Sequence, residues 1–371
     1  MLDPEFALVN VLEERVADEI RRRGPVPFHE VMELALYDPE HGFYSSGGAA
    51  GRRGDFITSP EVGPLFGAVI ARALDQWWRE RGEPDPFVVI EAGAGPGTLA
   101  VSVLAAPPAC AAALRYVLVE RSASLRARQG QHLSLEDPAL AFAPDRVEDD
   151  DGGVRAPELA TGPIVVSLDA LPRVHGPAVV LANELLDNLA VDVLERRDGE
   201  WCEVRVGLDG DELVETLVPA DGPDITVADG ARVPVQTAAS RWVRDAREHG
   251  RVVVFDYARP TESMAGRPMG QWLRTYRGHE RGGNPLHELG LQDITCDVAV
   301  DQLPAPSRIS TQAEWLAAHG MYELVAEGAR VWEERKHVGD LAAMRARSRV
   351  NEAAALTDPE GLGAFTVIEW H

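Results

Sequence analysis

Lysine is almost absent from this 371-residue chain: Lys336 is the only one, and arginine carries nearly all of the positive charge. Positive charge is itself scarce, with 36 Lys and Arg against 60 Asp and Glu and a formal net charge of −24. That balance argues against a track for nucleic-acid phosphates and against an anionic membrane surface. It favours a cationic substrate, such as a basic peptide segment. Cysteine is rare as well. Cys110, Cys202 and Cys296 lie far apart with no C-x-x-C, which excludes a cysteine-based zinc module and points to a reducing compartment, the cytoplasm. The ten histidines form no H-E-x-x-H or similar ligand set, so no metal is expected. No apolar run approaches the ~18 residues a membrane span needs. The mixed, acidic start (Asp3, Glu5, Glu13, Glu14) reads neither as a signal peptide nor as a basic transit peptide. Apolar residues, by contrast, are plentiful: at 45% of the chain they suffice for packed cores in one large or two joined units.

The most informative stretch is Val88-Val89-Ile90-Glu91-Ala92-Gly93-Ala94-Gly95-Pro96-Gly97-Thr98. An apolar strand ends in an acid, and glycines then recur at every second position before a helix-forming segment. Such a turn lets a ligand lie against bare backbone, because glycine accepts φ > 0 and carries no Cβ, and the next helix begins with unpaired N–H groups. A dinucleotide fingerprint would need a third glycine at 98, where Thr98 stands. A P-loop would need a lysine, and no Lys or Arg lies between Val88 and Ala106. The pattern Glu91-x-Gly93-x-Gly95-x-Gly97 resembles instead motif I of the class I methyltransferases, which bind S-adenosylmethionine (SAM). There the acid faces the ligand's ammonium end and the glycines pass under its amino-acid portion. The bland alternative is a turn that only connects two elements. A second strand, Arg115-Tyr116-Val117-Leu118-Val119-Glu120, ends in an acid 23 residues beyond Gly97. An acid at that distance accepts from ribose hydroxyls in doubly wound sheets, although a strand-end charge can also be ordinary.

Periodicity predicts helices over 9–23, 28–36, 61–78 (with Pro64 in the first turn), 98–106 and 122–133, and strands over 87–91, 115–120, 178–182 and 251–256. Alternating strands and helices imply a parallel sheet. Asp198-Gly199 and Asp209-Gly210 mark a β-hairpin insertion over 191–219, 259–349 reads as mainly helical, and 365–370 as a closing strand. The fold class is therefore α/β, with this division: 1–60, an N-terminal helical, cofactor-covering segment; 61–190, the α/β core; 191–235, the hairpin insertion; 236–258, its continuation; 259–350, a helical substrate cap; and 351–371, the closing strand.

Open parallel sheets bind ligands beyond the carboxyl ends of their strands. Asn183 follows the strand beside the glycine-turn strand and so would face the transferred group. Glu184 and Asp187 stand three apart, on one side of a helical turn, where they would grip a cation together. Alternatively they are helix N-terminal carboxylates offsetting the macrodipole.

Four segments carry a wider resemblance: Tyr37-Asp38-Pro39-Glu40-His41-Gly42-Phe43-Tyr44, Gly54-Asp55-Phe56-Ile57-Thr58-Ser59-Pro60-Glu61, Glu91 through Thr98, and Asn183-Glu184-Leu185-Leu186-Asp187. Together the chain resembles the MidA-type SAM-dependent methyltransferases, which include a mitochondrial complex I assembly factor reported as a protein arginine methyltransferase. Weaker echoes are Tyr276-Arg277-Gly278-His279 and Ser310-Thr311-Gln312. The resemblance implies a class I (Rossmann-like) core binding SAM, with Asp55, Thr58 and Ser59 in a loop over the cofactor. It further implies in-line methyl transfer to a protein or peptide arginine, with Glu184 and Asp187, and Asp55 in reserve, clamping the guanidinium. Tyr276 and His279 would line the entrance, or belong to a surface loop. One departure stands out, since Leu185 and Leu186 replace two aromatics usual in the family and weaken a cation–π grip. A small-molecule or peptide methyltransferase, or a SAM-binding assembly factor without turnover, are the other readings.

Overall fold

The computed structural model describes residues 4–45, 58–142, 147–148, 154–155, 161–174, 176–278 and 280–371. The chain divides into two compact units, each gathered from three stretches. One comprises Ile57–Asn183, Ala246–Phe255 and Ser307–His371; the other comprises Met1–Phe56, Glu184–Asp245 and Asp256–Pro306.

The first unit holds a seven-stranded sheet of β1 (Phe87–Ala92), β2 (Leu114–Val119), β3 (Ile164–Leu168), β4 (Ala178–Asn183), β5 (Gly250–Asp256), β6 (Arg308–Thr311) and β7 (Thr366–Trp370). Their order is β3-β2-β1-β4-β5-β7-β6. Strands β1 to β5 pair in parallel, while β6 and β7 pair antiparallel. Every residue of β1 and β2 is buried, as both-face coverage demands of such Val/Ile/Leu runs. Strand order reverses between β1 and β4, and there a parallel sheet opens a crevice at its carboxyl edge. Helix Pro64–Glu80 lays Phe66, Val69, Ile70 and Trp77 into the core beside helix Thr98–Ala105. The two helices approach so closely that a Cβ on Gly67 would meet Ser102 Cβ at 2.3 Å. The N-terminus of Pro64–Glu80 is satisfied from far away in sequence, by Glu352 Oε2 accepting from Leu65 N at 2.9 Å.

The second unit is built on antiparallel strands. Val26–Pro27, Glu200–Asp209, Asp192–Arg197 and Arg232–Val235 follow one another across a sheet, with Glu212–Pro219 also paired to Glu200–Asp209. The Asp198-Gly199 turn takes φ +51° and +80°, and Gly210 takes φ +64°, so the two expected hairpin turns are present. Helix Phe28–Tyr37 packs Val31, Met32 and Leu36 into a core with Val193, Val204, Val206 and Trp272.

Four local expectations need correction. The helix expected over 61–78 is two, Ser59–Val62 and Pro64–Glu80, because Gly63 breaks it and Pro64 starts the second. The helix expected over 122–133 ends at Gln129. Residues 259–349 are not mainly helical until Gln312; before it lie the strands Leu273–Arg277 and Asp293–Cys296 with short turns. Glu184 does not sit in a helical turn, since its φ is +51° and a short 3-10 helix begins only at Leu186. No described helix is long and apolar enough to cross a membrane.

Candidate functional site

In the first unit the chain leaves β1 through three left-handed glycines, Gly93 (φ +67°), Gly95 (+52°) and Gly97 (+86°). The middle one is clamped by side chains from later in the chain. Glu120 Oε2 accepts from Gly95 N at 2.9 Å, and Gln129 Nε2 donates to Gly95 O at 2.8 Å. Ser167 Oγ in turn donates to Gln129 Oε1 at 2.6 Å. The remaining direction is open among the described residues, where a Cβ on Gly95 would meet no heavy atom within 4 Å. Among the described residues, no side chain lies over this stretch of backbone at Gly95. Glu120 also accepts from Ser122 N at 2.7 Å, and burial raises its pKa above the ordinary value. Gln129 and Ser167 carry no motif that sequence reading would flag.

Glu91 lies beneath this turn, buried, with Tyr116 donating to its Oε2 at 2.7 Å. Burial pushes its pKa up to about 8, against the lowering effect of the Tyr116 hydrogen bond. Between pH 4.5 and about 8 the folded chain therefore keeps a proton that the unfolded chain has released. Stability drawn from this group is full below that window and is lost as pH rises through it. Glu91→Gln retains an acceptor for Tyr116 and removes the cost of ionisation. It is expected to melt roughly 5 °C above wild type at pH 8.5, with the gap closing toward pH 5. Equal melting temperatures at pH 8.5 in calorimetry would show that Glu91 is not held protonated.

The other residues read as cofactor-binding are placed as follows. Asn183 ends β4 at the carboxyl edge of the sheet. Thr58 and Ser59 open helix Ser59–Val62, where Thr58 forms a capping box with Glu61 and Ser59 Oγ donates to Gln312 Oε1 at 2.9 Å. Ser59 is fully buried. Asp55 lies outside the described residues, as does His279.

In the second unit, acids gather around residues 184–188. Asp187 is buried, and its Oδ1 has no hydrogen-bond partner among the described residues. Burial pushes the Asp187 pKa up to about 7; the Arg274 charge opposes the rise and Asp297 adds to it. Asp256, fully buried at the end of β5, is raised by burial and then by the charges of Asp187 and Glu184. Asp297 binds Arg259 at 2.9 Å and also Arg274, whose guanidinium lies 5.0 Å from the Tyr257 ring centre. Tyr276, half-buried on the strand Leu273–Arg277, adds to the field at Arg274 and Tyr257. The structure thus brings Glu184, Asp187 and Tyr276 into one neighbourhood, and it adds Asp256, Tyr257, Arg274 and Asp297. Leu186 is wholly buried, whereas Tyr257 is 36% exposed. The sequence signal for Asp256-Tyr257 was only its position at a strand end. No described group of His, Cys, Asp and Glu is arranged to hold a metal ion.

A family profile described as "Putative S-adenosyl-L-methionine-dependent methyltransferase" matches residues 69–319. A Drosophila melanogaster protein named protein arginine methyltransferase NDUFAF7 homolog, mitochondrial, is 29% identical over 306 residues, which are 77% of this chain and 68% of that one. The Danio rerio protein arginine methyltransferase NDUFAF7, mitochondrial, is 27% identical over 311 residues, covering 77% and 69%. Among solved structures, a COG1565 superfamily protein from Burkholderia thailandensis, crystallised with S-adenosyl-homocysteine, matches with a TM-score of 0.78 and 28% identity. That match covers 99% of this chain and 93% of the other.

Proposed function

The chain belongs to this family of SAM-dependent methyltransferases, as its motif segments led us to expect, and from that premise we propose that it methylates an arginine side chain of a protein. SAM, the cofactor of the family, supplies when bound a methyl group on a positively charged sulfur. In our reading Gly93, Gly95 and Gly97 bare the backbone toward it. Glu120 and Asn183 supply polar contacts, Glu91 places a carboxyl beneath the turn, and Thr58 and Ser59 anchor the segment that leads in.

The observation that carries the arginine reading is Asp187, a buried carboxyl with one oxygen unpartnered among the described residues and a pKa near neutrality. Arginine is protonated at all ordinary pH values. Its nitrogen becomes nucleophilic only where carboxylates draw the charge to the far side of the guanidinium and take a proton as the new bond forms. Glu184 and Asp187 are assigned that work, with Asp55 in reserve, Tyr257 and Tyr276 as aromatic surface, and His279 at the entrance. The names of the two relatives describe the same activity for those proteins. The net charge of −24 suits a basic protein segment rather than nucleic acid or an anionic membrane. Three free cysteines agree with the reducing cytoplasm, whereas both relatives are named as mitochondrial; fractionation of tagged protein decides between them.

The test is incubation of the purified protein with methyl-labelled SAM and a cell lysate. Label in precipitable protein that hydrolyses to methylarginine is expected. Label confined to the small-molecule fraction points to a small-molecule acceptor. No transfer at all, with SAM bound, leaves a cofactor-binding assembly factor.

A further inference from the structure

We propose that Asp256 and Tyr44 are positioning residues that clamp the turn 184–188 from its two ends and so hold Asp187 in place. The role given to Asp187 rests on the arginine reading above; the clamp itself does not. Asp256 takes the leading end. Its Oδ2 accepts from Leu186 N at 2.9 Å and from Asp187 N at 3.4 Å, while Oδ1 accepts from Tyr257 N at 2.9 Å. These are the amides that a short helix leaves bare at its start, and here Leu186 is wholly buried. The carboxyl reaches them across 70 residues of sequence. Glu184 meanwhile sits at φ +51°, a conformation that strains a non-glycine residue and persists only where surrounding bonds hold it.

Tyr44 takes the trailing end. Its hydroxyl lies 3.0 Å from Asn188 Oδ1 and 3.1 Å from Asp293 Oδ1. Asn188 Nδ2 donates to Asp293 Oδ1 at 3.2 Å and to Ile294 O at 3.3 Å, and Tyr37 donates to Asn188 O at 3.4 Å. Asn188 is buried and follows Asp187 directly. The segment 37–44 is shaped for this reach. Asp38 accepts from the amides of Glu40 and His41 at 3.1 and 3.0 Å, and Arg15 pairs with it at 2.6 Å. A Cβ on Gly42 would come within 2.5 Å of Asp38 N, so only glycine lets the chain fold back there. The Tyr37 and Tyr44 rings then stack with centroids 5.5 Å apart. A motif with no apparent chemistry of its own thereby acquires a structural purpose, since it delivers two hydroxyls to the residue after Asp187.

The experiment compares Tyr44→Phe, Asp256→Asn and Asp256→Ala with wild type. Tyr44→Phe keeps the stacked ring, and Asp256→Asn keeps one acceptor oxygen. Hydrogen exchange is read for the peptide spanning 184–189, together with SAM affinity by calorimetry and methyl transfer to lysate protein. Exchange in that peptide is expected to rise at least tenfold in Asp256→Ala and severalfold in Tyr44→Phe, with SAM affinity within twofold of wild type. The rate of transfer at saturating SAM should fall about a hundredfold and tenfold respectively, with Asp256→Asn closer to wild type than Asp256→Ala. Unchanged exchange of 184–189 in Tyr44→Phe and Asp256→Asn overturns the clamp. Raised exchange in a protein whose wild type transfers no methyl to protein leaves the clamp standing and removes the arginine reading. Where Asp256→Ala fails to fold, the other two variants decide.

Discussion

Gly95→Asp is expected to abolish SAM binding while the protein remains folded. The reason lies in the three directions around this residue. Its N–H and C=O are taken by Glu120 and Gln129, so the peptide unit cannot swing aside. Its third direction is empty among the described residues, so a side chain added there strikes none of them and, in the proposed reading, enters the cofactor's space. Aspartate tolerates the left-handed φ of +52° better than most residues, so strain stays near ~1 kcal/mol. The new carboxylate would stand beside Glu120, replacing a bare surface with a bulky, charged one. Affinity should fall at least a hundredfold, equivalent to about 2.7 kcal/mol, with Gly95→Ala intermediate. Titration calorimetry on protein shown to be folded by circular dichroism checks this. Wild-type affinity in the aspartate variant would detach the glycine turn from the cofactor.

Asp187→Asn is expected to separate chemistry from cofactor binding. Removal of a proton acceptor of this kind costs roughly 10² to 10⁴ in rate, and nothing in the SAM reading assigns Asp187 to the cofactor. Transfer of labelled methyl to protein should therefore drop at least a hundredfold with SAM affinity within twofold of wild type. The pH profile carries the sign. Asp187 must be ionised to accept a proton, and burial places its pKa at about 7. Wild-type transfer should climb with pH through 7 and level off above it, with the acid limb missing from whatever activity the asparagine variant retains. A variant with more than a tenth of wild-type activity, or a flat wild-type profile between pH 6 and 8, would remove Asp187 from the chemistry.

The parts of this molecule written in local sequence were the parts that reading recovered. Val/Ile/Leu runs bounded by glycine and acid gave β1, β2 and β4 within a residue or two, and the Asp-Gly pairs gave the hairpin turns. The glycine turn and Glu120 were legible because both obey a spacing. What escaped was written across distance. Asp256 looks like any acid at a strand end until its bonds to Leu186 and Asp187 are seen, and Glu352 sits in a helix 287 residues from the amide it satisfies. The turn at Glu184 misled for a physical reason. Its residues have ordinary helix propensity, and nothing local announces that Glu184 takes φ +51° or that the amides of Leu186 and Asp187 are served by Asp256. The strands between 273 and 296 were missed because they are short and pair with one another, so no run of alternating residues announces them.

The position of β7 has a consequence for how the protein is made. Residues 366–370 lie between β5 and β6 rather than at a rim of the sheet. Without them β5 keeps an unpaired edge and β6 has no partner strand, the kind of surface that recruits foreign strands. The sheet is therefore completed only when residues 366–370 join it, and a change that weakens this one strand is expected to expose an inner edge rather than fray a rim.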